Sequence, residues 1–294
     1  MVDLNQLLAV KPASLLAALT AAILLALYGH PRQFLKGIQN LPEEYSITRA
    51  KARVDTDHEQ QPTELPYPVD ASPGGRTVYG TIQVFEWGPE NGEKVLLVHG
   101  LGTPCIALGD MAKEFVRRGY RVMIFDLFGR GHSETPNDLP HDARLYTTQI
   151  LLVLSSSPLS WTGSSAFHIV RFSLGGSIAV AFAAYHAILL RSITVICPGG
   201  LIRTSHISRR NIPDRAQGAD MDFDAVPIAA DRPQVRIGDV IRWQLRANPG
   251  FVPSYLSTIR GSLVFRRHDQ MWKVLRDELA RRRTPDGPPG LPGV

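Results

Sequence analysis

The sequence predicts an α/β fold: a mostly parallel sheet with helices on both faces. Three observations carry that expectation. Between residues 77 and 200, short runs rich in Val, Ile and Phe alternate with segments of helix length, the pattern of strand–helix–strand units. One run, Val95-Leu96-Leu97-Val98, is continuously apolar, as suits a strand buried on both faces. Another, ending at Phe172, passes directly into Ser173 and a helix rich in small residues.

The elements follow in order. Residues 77–87 have strand composition and stop at Gly88-Pro89. The run 95–98 stops at His99-Gly100, and 106–118 predicts a helix closed by Gly119. Residues 121–125 form the next strand, ending at Asp126, and 142–154 the next helix. Residues 166–172 are a strand, 174–190 an Ala-rich helix, and 192–197 a strand stopped by Pro198-Gly199-Gly200. Right-handed crossovers between parallel strands are then expected. Residues 76–200 thus form the core, preceded by a polar segment and linker over 31–75. Beyond Gly200 the alternation weakens. Scattered Arg, Asp and Pro over 201–260 suggest a mobile lid or cap, and 261–283 carries a helical segment. The tail 284–294 holds four prolines and three glycines, which excludes a regular element.

Composition bounds the function. A chain of 294 residues has room for one sizeable domain and an appendage, and 44% hydrophobic with 20% charged residues excludes disorder throughout. The formal charge of +5 does not imply nucleic acid. The arginines are dispersed, and the densest run, Arg281-Arg282-Arg283, sits beside the Pro/Gly tail with no nucleic-acid motif around it. Cys105 and Cys197 each adjoin a strand end and read as small buried hydrophobes, with no metal site or disulfide framework.

Residues 1–30 predict a single-pass membrane anchor. From 12 to 30 no residue carries a formal charge, a length near the lower end of the roughly 17–25 residues that span a bilayer. A cleavable signal peptide is the rival reading, but the positive n-region is weak and no small-x-small site follows. Apolar residues on every face argue against an amphipathic helix. Lys11 before the stretch, with Arg32 and Lys36 after it, biases the following domain toward the cytosol.

The chemistry centres on Val170-Arg171-Phe172-Ser173-Leu174-Gly175-Gly176. A serine on a sharp strand-to-helix turn has its Oγ raised above the carboxyl edge of the sheet. The backbone N–H of Leu174 then points to where an oxyanion would form. The turn needs small neighbours, and Gly175 supplies one. Arg171 stands where a small residue is expected, so it must either snorkel outward or displace the turn. Upstream, His99-Gly100-Leu101-Gly102 has the form of a second oxyanion-hole loop, offering the N–H of Leu101. His99 there supports the loop through backbone bonds and is not the general base. Asp126-Leu127-Phe128-Gly129-Arg130-Gly131-His132-Ser133 reads as a structural turn leading off a strand end.

The order H-G-x-G, then D-x-x-G-x-G-x-S, then a serine elbow with L-G-G resembles the α/β-hydrolase superfamily. The resemblance implies the α/β-hydrolase fold and a serine hydrolase acting on a small-molecule carboxylic ester or lactone, with no cofactor. Ser173 would be the nucleophile, with the N–H groups of Leu101 and Leu174 as the oxyanion hole. A serine at the elbow separates the chain from dehalogenases and epoxide hydrolases. The family's chain order is Ser, then Asp or Glu, then His. After Ser173 the histidines are His186, inside the elbow helix, His206, and His268. Ser262-Leu263-Val264-Phe265 followed by His268-Asp269 mimics a strand ending in an acid, which makes Asp269 a candidate orienting carboxylate; the alternative places 266–276 at the end of the cap. No late-loop catalytic histidine is identifiable. The sheet is therefore expected to be incomplete at its C-terminal strands, with an exposed edge. The alternative function is a catalytically impaired or truncated α/β-hydrolase-like protein with a binding or interaction role.

Overall fold

Alternation of apolar residues along the strands decides where the sheet lies, and the computed structural model shows it for residues 75–163, 166–199, 223–261, 269–284 and 286–288. The expected membrane anchor, most of the linker, and both His206 and His268 lie outside these residues. Among the described residues no helix is long and apolar enough to cross a membrane.

The strand β4 (Lys94–Val98) is the centre of the sheet. Leu96 and Val98 join the core on one face, Val95 and Leu97 the core on the other. A run buried on both sides must be continuously apolar, which is why the alternation of an exposed strand is missing. The five strands run in the order β3 (Val84–Trp87), β5 (Arg121–Phe125), β4, β6 (Phe167–Phe172) and β7 (Leu190–Ile196). All neighbours are parallel except β3, which pairs antiparallel with β5. Leu96 sits opposite both Met123 and Ile169, so three strands contribute to one apolar layer. Among the described residues β7 forms one edge of the sheet.

The expected strand 77–87 is three elements. β1 (Gly75–Thr77) and β2 (Gly80–Ile82) form a hairpin, and β3 follows separately. Gly80 has φ 107, a conformation other residues rarely adopt. The Thr77 hydroxyl accepts from the Tyr79 N–H and donates to the Gly80 carbonyl, which fixes the turn.

One face of the sheet is covered by α1 (Gly109–Arg117), which follows a 3-10 turn at Cys105–Leu108. The other carries α2 (Ala143–Ser155) and α3 (Leu174–His186), with α6 (Asp269–Arg282) packed against α3. Asp142 caps α2 by accepting from the N–H groups of Arg144 and Leu145. Squeezed between sheet and α6, α3 is buried almost all round, and its alanines and glycines allow that close approach. It ends in a 3-10 turn, Ala187–Leu189, so β7 begins earlier than expected from composition.

Of the expected lid or cap over 201–260, the described part holds a 3-10 turn and two helices. Helices α4 (Ile237–Ala247) and α5 (Phe251–Arg260) are fastened to the turn after β5 by buried polar side chains. Gln244 accepts from Gly131 N–H and donates to Gly102 O, and Asn248 donates to Gly131 O. Gly129 marks the closest contact. Its φ is +73, and a Cβ there would fall against Ser254 and 2.8 Å from the Gly250 carbonyl. Gly129→Ala is expected to destabilise the fold by about 3 kcal/mol, read as a lower urea midpoint. Cys105 is buried as expected, but Cys197 is exposed, because β7 ends before it and the chain turns there at φ 47.

Candidate active site

Ser173 lies at the carboxyl end of β6 and begins α3, with φ 54 and ψ −120. An L-residue held at such angles carries on the order of 1–3 kcal/mol of strain. Three backbone bonds keep it there. Its N–H donates to Ile196 O at 3.0 Å, and its carbonyl accepts from Gly176 N–H at 2.9 Å and Gly199 N–H at 2.8 Å. Its side chain makes no capping bond to the helix, so Oγ is not committed there. Space requires glycine at 175 and leaves ordinary van der Waals contact at 100. A Cβ on Gly175 would stand 2.6 Å from Val98 O, and one on Gly100 would stand 3.4 Å from the Ser173 Cβ. The loop after β4 and the elbow after β6 therefore meet at Ser173 through bare backbone.

That loop is held from beneath. The Leu101 carbonyl accepts from Arg130 Nε at 3.3 Å, and the Gly102 carbonyl from Gln244 Nε2 at 2.9 Å. Leu174, buried, opens α3, where the first N–H groups of a helix lack intrahelical acceptors. Asp126 is buried as well. One oxygen accepts from Cys105 N–H and the other from His132 N–H, and burial raises its pKa. Gln149 bridges the same turn, donating to Asp126 O and accepting from Phe128 N–H. Gln149, Gln244, Tyr146 and Thr258 are isolated polar residues on helices, and no local pattern distinguishes them in the sequence.

His99 is fully buried. Leu127 N–H can only donate, so Nε2 accepts from it at 2.9 Å, leaving Nδ1–H to donate to Gly100 O at 2.8 Å. Both nitrogens are used by the loop. Burial, followed by the positive charges of Arg130 and Arg171, drives its pKa down to about 3, although bonds to backbone oppose the shift. The ring stays neutral in the fold while the unfolded chain protonates below pH 6.5. Its contribution to stability is therefore full above pH 6.5 and is lost as pH falls toward 3. Between pH 7.5 and pH 5 this amounts to about 2 kcal/mol. Urea unfolding of His99→Asn should show a shallower loss over that interval than the wild type, by about that amount.

Arg171 neither snorkels outward nor displaces the turn. It is 1% exposed, and strand alternation places it with Phe167 and Ile169 on the face beneath α3. Nη1 donates to Gly175 O at 3.1 Å. Nε and Nη2 have no hydrogen-bond partner among the described residues.

The described histidines are all engaged away from Ser173. His186 ends α3, which at about 1.5 Å per residue puts it roughly 20 Å from the serine. Its ring lies against Phe182. His168 bonds Ser192 Oγ near the amino end of β6, and His141 Nε2 bonds Thr135 Oγ1. His132 is exposed and packs edge-on to Trp243. Asp269 is the first residue of α6, and residues 262–268 lie outside the described part, so the strand expected before Asp269 does too.

A family model for the alpha/beta hydrolase fold matches residues 93–237, a span that holds the β4 loop, the Asp126 turn and the Ser173 elbow. The chain belongs to the α/β-hydrolase superfamily. Among curated relatives of this hydrolase-fold chain, Lipase 1 of Psychrobacter immobilis is 23% identical over 223 residues, covering 76% of this chain and 63% of the lipase. Probable lysophospholipase BODYGUARD 4 of Arabidopsis thaliana is 30% identical over 111 residues, covering 37% of this chain and 25% of that protein. The chain thus spans less than two thirds of the length of either. A carboxylesterase structure from Nitrososphaera gargenis aligns with a TM-score of 0.49 at 13% identity, over 70% of this chain and 76% of that one.

Proposed function

We propose that this α/β-hydrolase is a serine hydrolase that cleaves a carboxylic ester or lactone. The observation that carries the reading is Ser173 itself: an L-residue at φ 54 and ψ −120 between a strand end and a helix start, ringed by glycines. Such strain persists where the surroundings over-determine it, as nucleophile turns do. Ser173 Oγ attacks the acyl carbon, and the N–H groups of Leu101 and Leu174 receive the developing oxyanion. Asp269 is the candidate carboxylate. The similarity to a lipase and a probable lysophospholipase supports an acyl substrate. The apolar stretch within 1–30 supports action at a membrane surface.

The test is labelling of the folded full chain with a fluorophosphonate probe, followed by peptide mapping. Label on Ser173, with turnover of short p-nitrophenyl esters, is the expected result. A folded chain that takes no label and turns over no ester defeats the reading.

A second reading, a non-catalytic member with a binding role, is favoured by the engagement of every described histidine elsewhere, His99 above all. It predicts the same folded chain without label or turnover.

A further inference from the structure

We propose that Arg171 is a positioning residue for charge: its buried, largely unmatched guanidinium beneath the elbow helix favours the negative charge that develops at Ser173. The proposal rests on the serine-hydrolase reading and deepens it by assigning a role to the residue that departs most from the elbow's pattern.

A buried arginine normally spends its five donors on carboxylates or several carbonyls. Arg171 makes one such bond, from Nη1 to Gly175 O, while Nε and Nη2 are buried without an acceptor among the described residues. The buried charged groups of the same region do not neutralise it. Arg130 is a second cation, His99 is neutral, and the Asp126 carboxylate accepts from Cys105 N–H and His132 N–H. Among the described residues these buried groups are thus two guanidiniums against one carboxylate, and burial without matching acceptors pulls the Arg171 pKa well below its ordinary value.

Position gives that excess a use. Arg171 is two residues before Ser173 on β6, and its one bond goes to the first turn of α3. The thirteen-residue α3 presents the positive end of its dipole at Ser173. A guanidinium beneath that same end opposes the dipole in the resting protein and is relieved only when negative charge appears above it. The tetrahedral adduct at Ser173 is such a charge: the Oγ–acyl bond forms, the hydroxyl proton passes to water or hydroxide, and the carbonyl π pair moves to oxygen. A unit charge about 10 Å away, at an effective dielectric near 20, alters such a step on the order of tenfold. Arg171 is also paired in register with Val98, the residue before His99, which places it beside the loop after β4 as well as the elbow. An uncompensated buried cation is otherwise a liability that a neutral side chain of similar volume would remove.

The experiment compares full-length wild type, Arg171→Met and Arg171→Lys by the second-order rate of fluorophosphonate labelling, its pH profile and the melting temperature. Arg171→Met should melt higher by about 3 °C and label slower by about tenfold. Its half-maximal labelling should move to higher pH, because losing a positive charge raises the pKa of the nucleophile. Arg171→Lys should retain the wild-type rate within about threefold. The proposal is overturned if Arg171→Met labels at the wild-type rate, if it melts no higher or fails to fold, or if Arg171→Lys is as slow as Met. Absence of label on the wild type would overturn the serine-hydrolase reading itself, and this role with it.

Discussion

Replacing Ser173 with alanine is expected to remove fluorophosphonate labelling altogether and to lower ester turnover on the order of 10⁴-fold or more. The proposed reaction runs through Oγ, which alanine lacks. Alanine keeps the strained φ of 54, so the fold should be left within about 0.5 kcal/mol of the wild type. Ser173→Gly separates strain from chemistry. Glycine adopts that φ freely, so this variant should be equally inactive yet more stable by about 1 kcal/mol. Urea unfolding alongside labelling reads both quantities. An unchanged stability in the glycine variant would mean that the elbow carries no strain.

The second large effect is expected at Arg130. Its guanidinium donates from Nε to Leu101 O, from Nη1 to Phe128 O and Tyr146 Oη, and from Nη2 to Thr258 Oγ1, all in the interior. Arg130→Met would leave the Leu101 and Phe128 carbonyls without that donor. Tyr146 and Thr258 still bond each other. With about 1–3 kcal/mol for each orphaned buried group, the loss should be about 3 kcal/mol. Because Thr258 belongs to α5 and Leu101 to the loop after β4, hydrogen exchange should rise in both together. The two buried arginines thus differ in sign: methionine destabilises at Arg130, where the donors are matched, and stabilises at Arg171, where they are not. Exchange rising in α5 alone would show that the network does not join these elements.

Much of the fold was legible in the sequence. Period-two and continuous apolar runs report burial directly, so β4, β5 and β6 and the helices between them lie close to their expected places. The elbow was legible too, because a strand running into Ser-Leu-Gly-Gly leaves few backbone solutions. Its setting was not. The bonds of Gln244 to Gly131 and of Thr258 to Tyr146 join residues more than a hundred positions apart, and the sequence contains no local trace of them. The burial of Arg171 was illegible for a related reason. Its length suggests escape to solvent, and only the packing of α3 over that face of the sheet buries it. Cys197 was misjudged because the end of β7 decides its exposure.

By itself, then, the sequence determined the parallel sheet, the order of the loops and the strand-to-helix turn at Ser173, since these follow from local periodicity and turn chemistry. Only the tertiary structure decided that α4 and α5 are bound to the core, that His99 serves the loop with both ring nitrogens, and that Arg171 is sealed beneath the elbow helix. The physical reason is that solvent exclusion and hydrogen-bond partnership are properties of surfaces brought together, and a charged side chain's role depends on both.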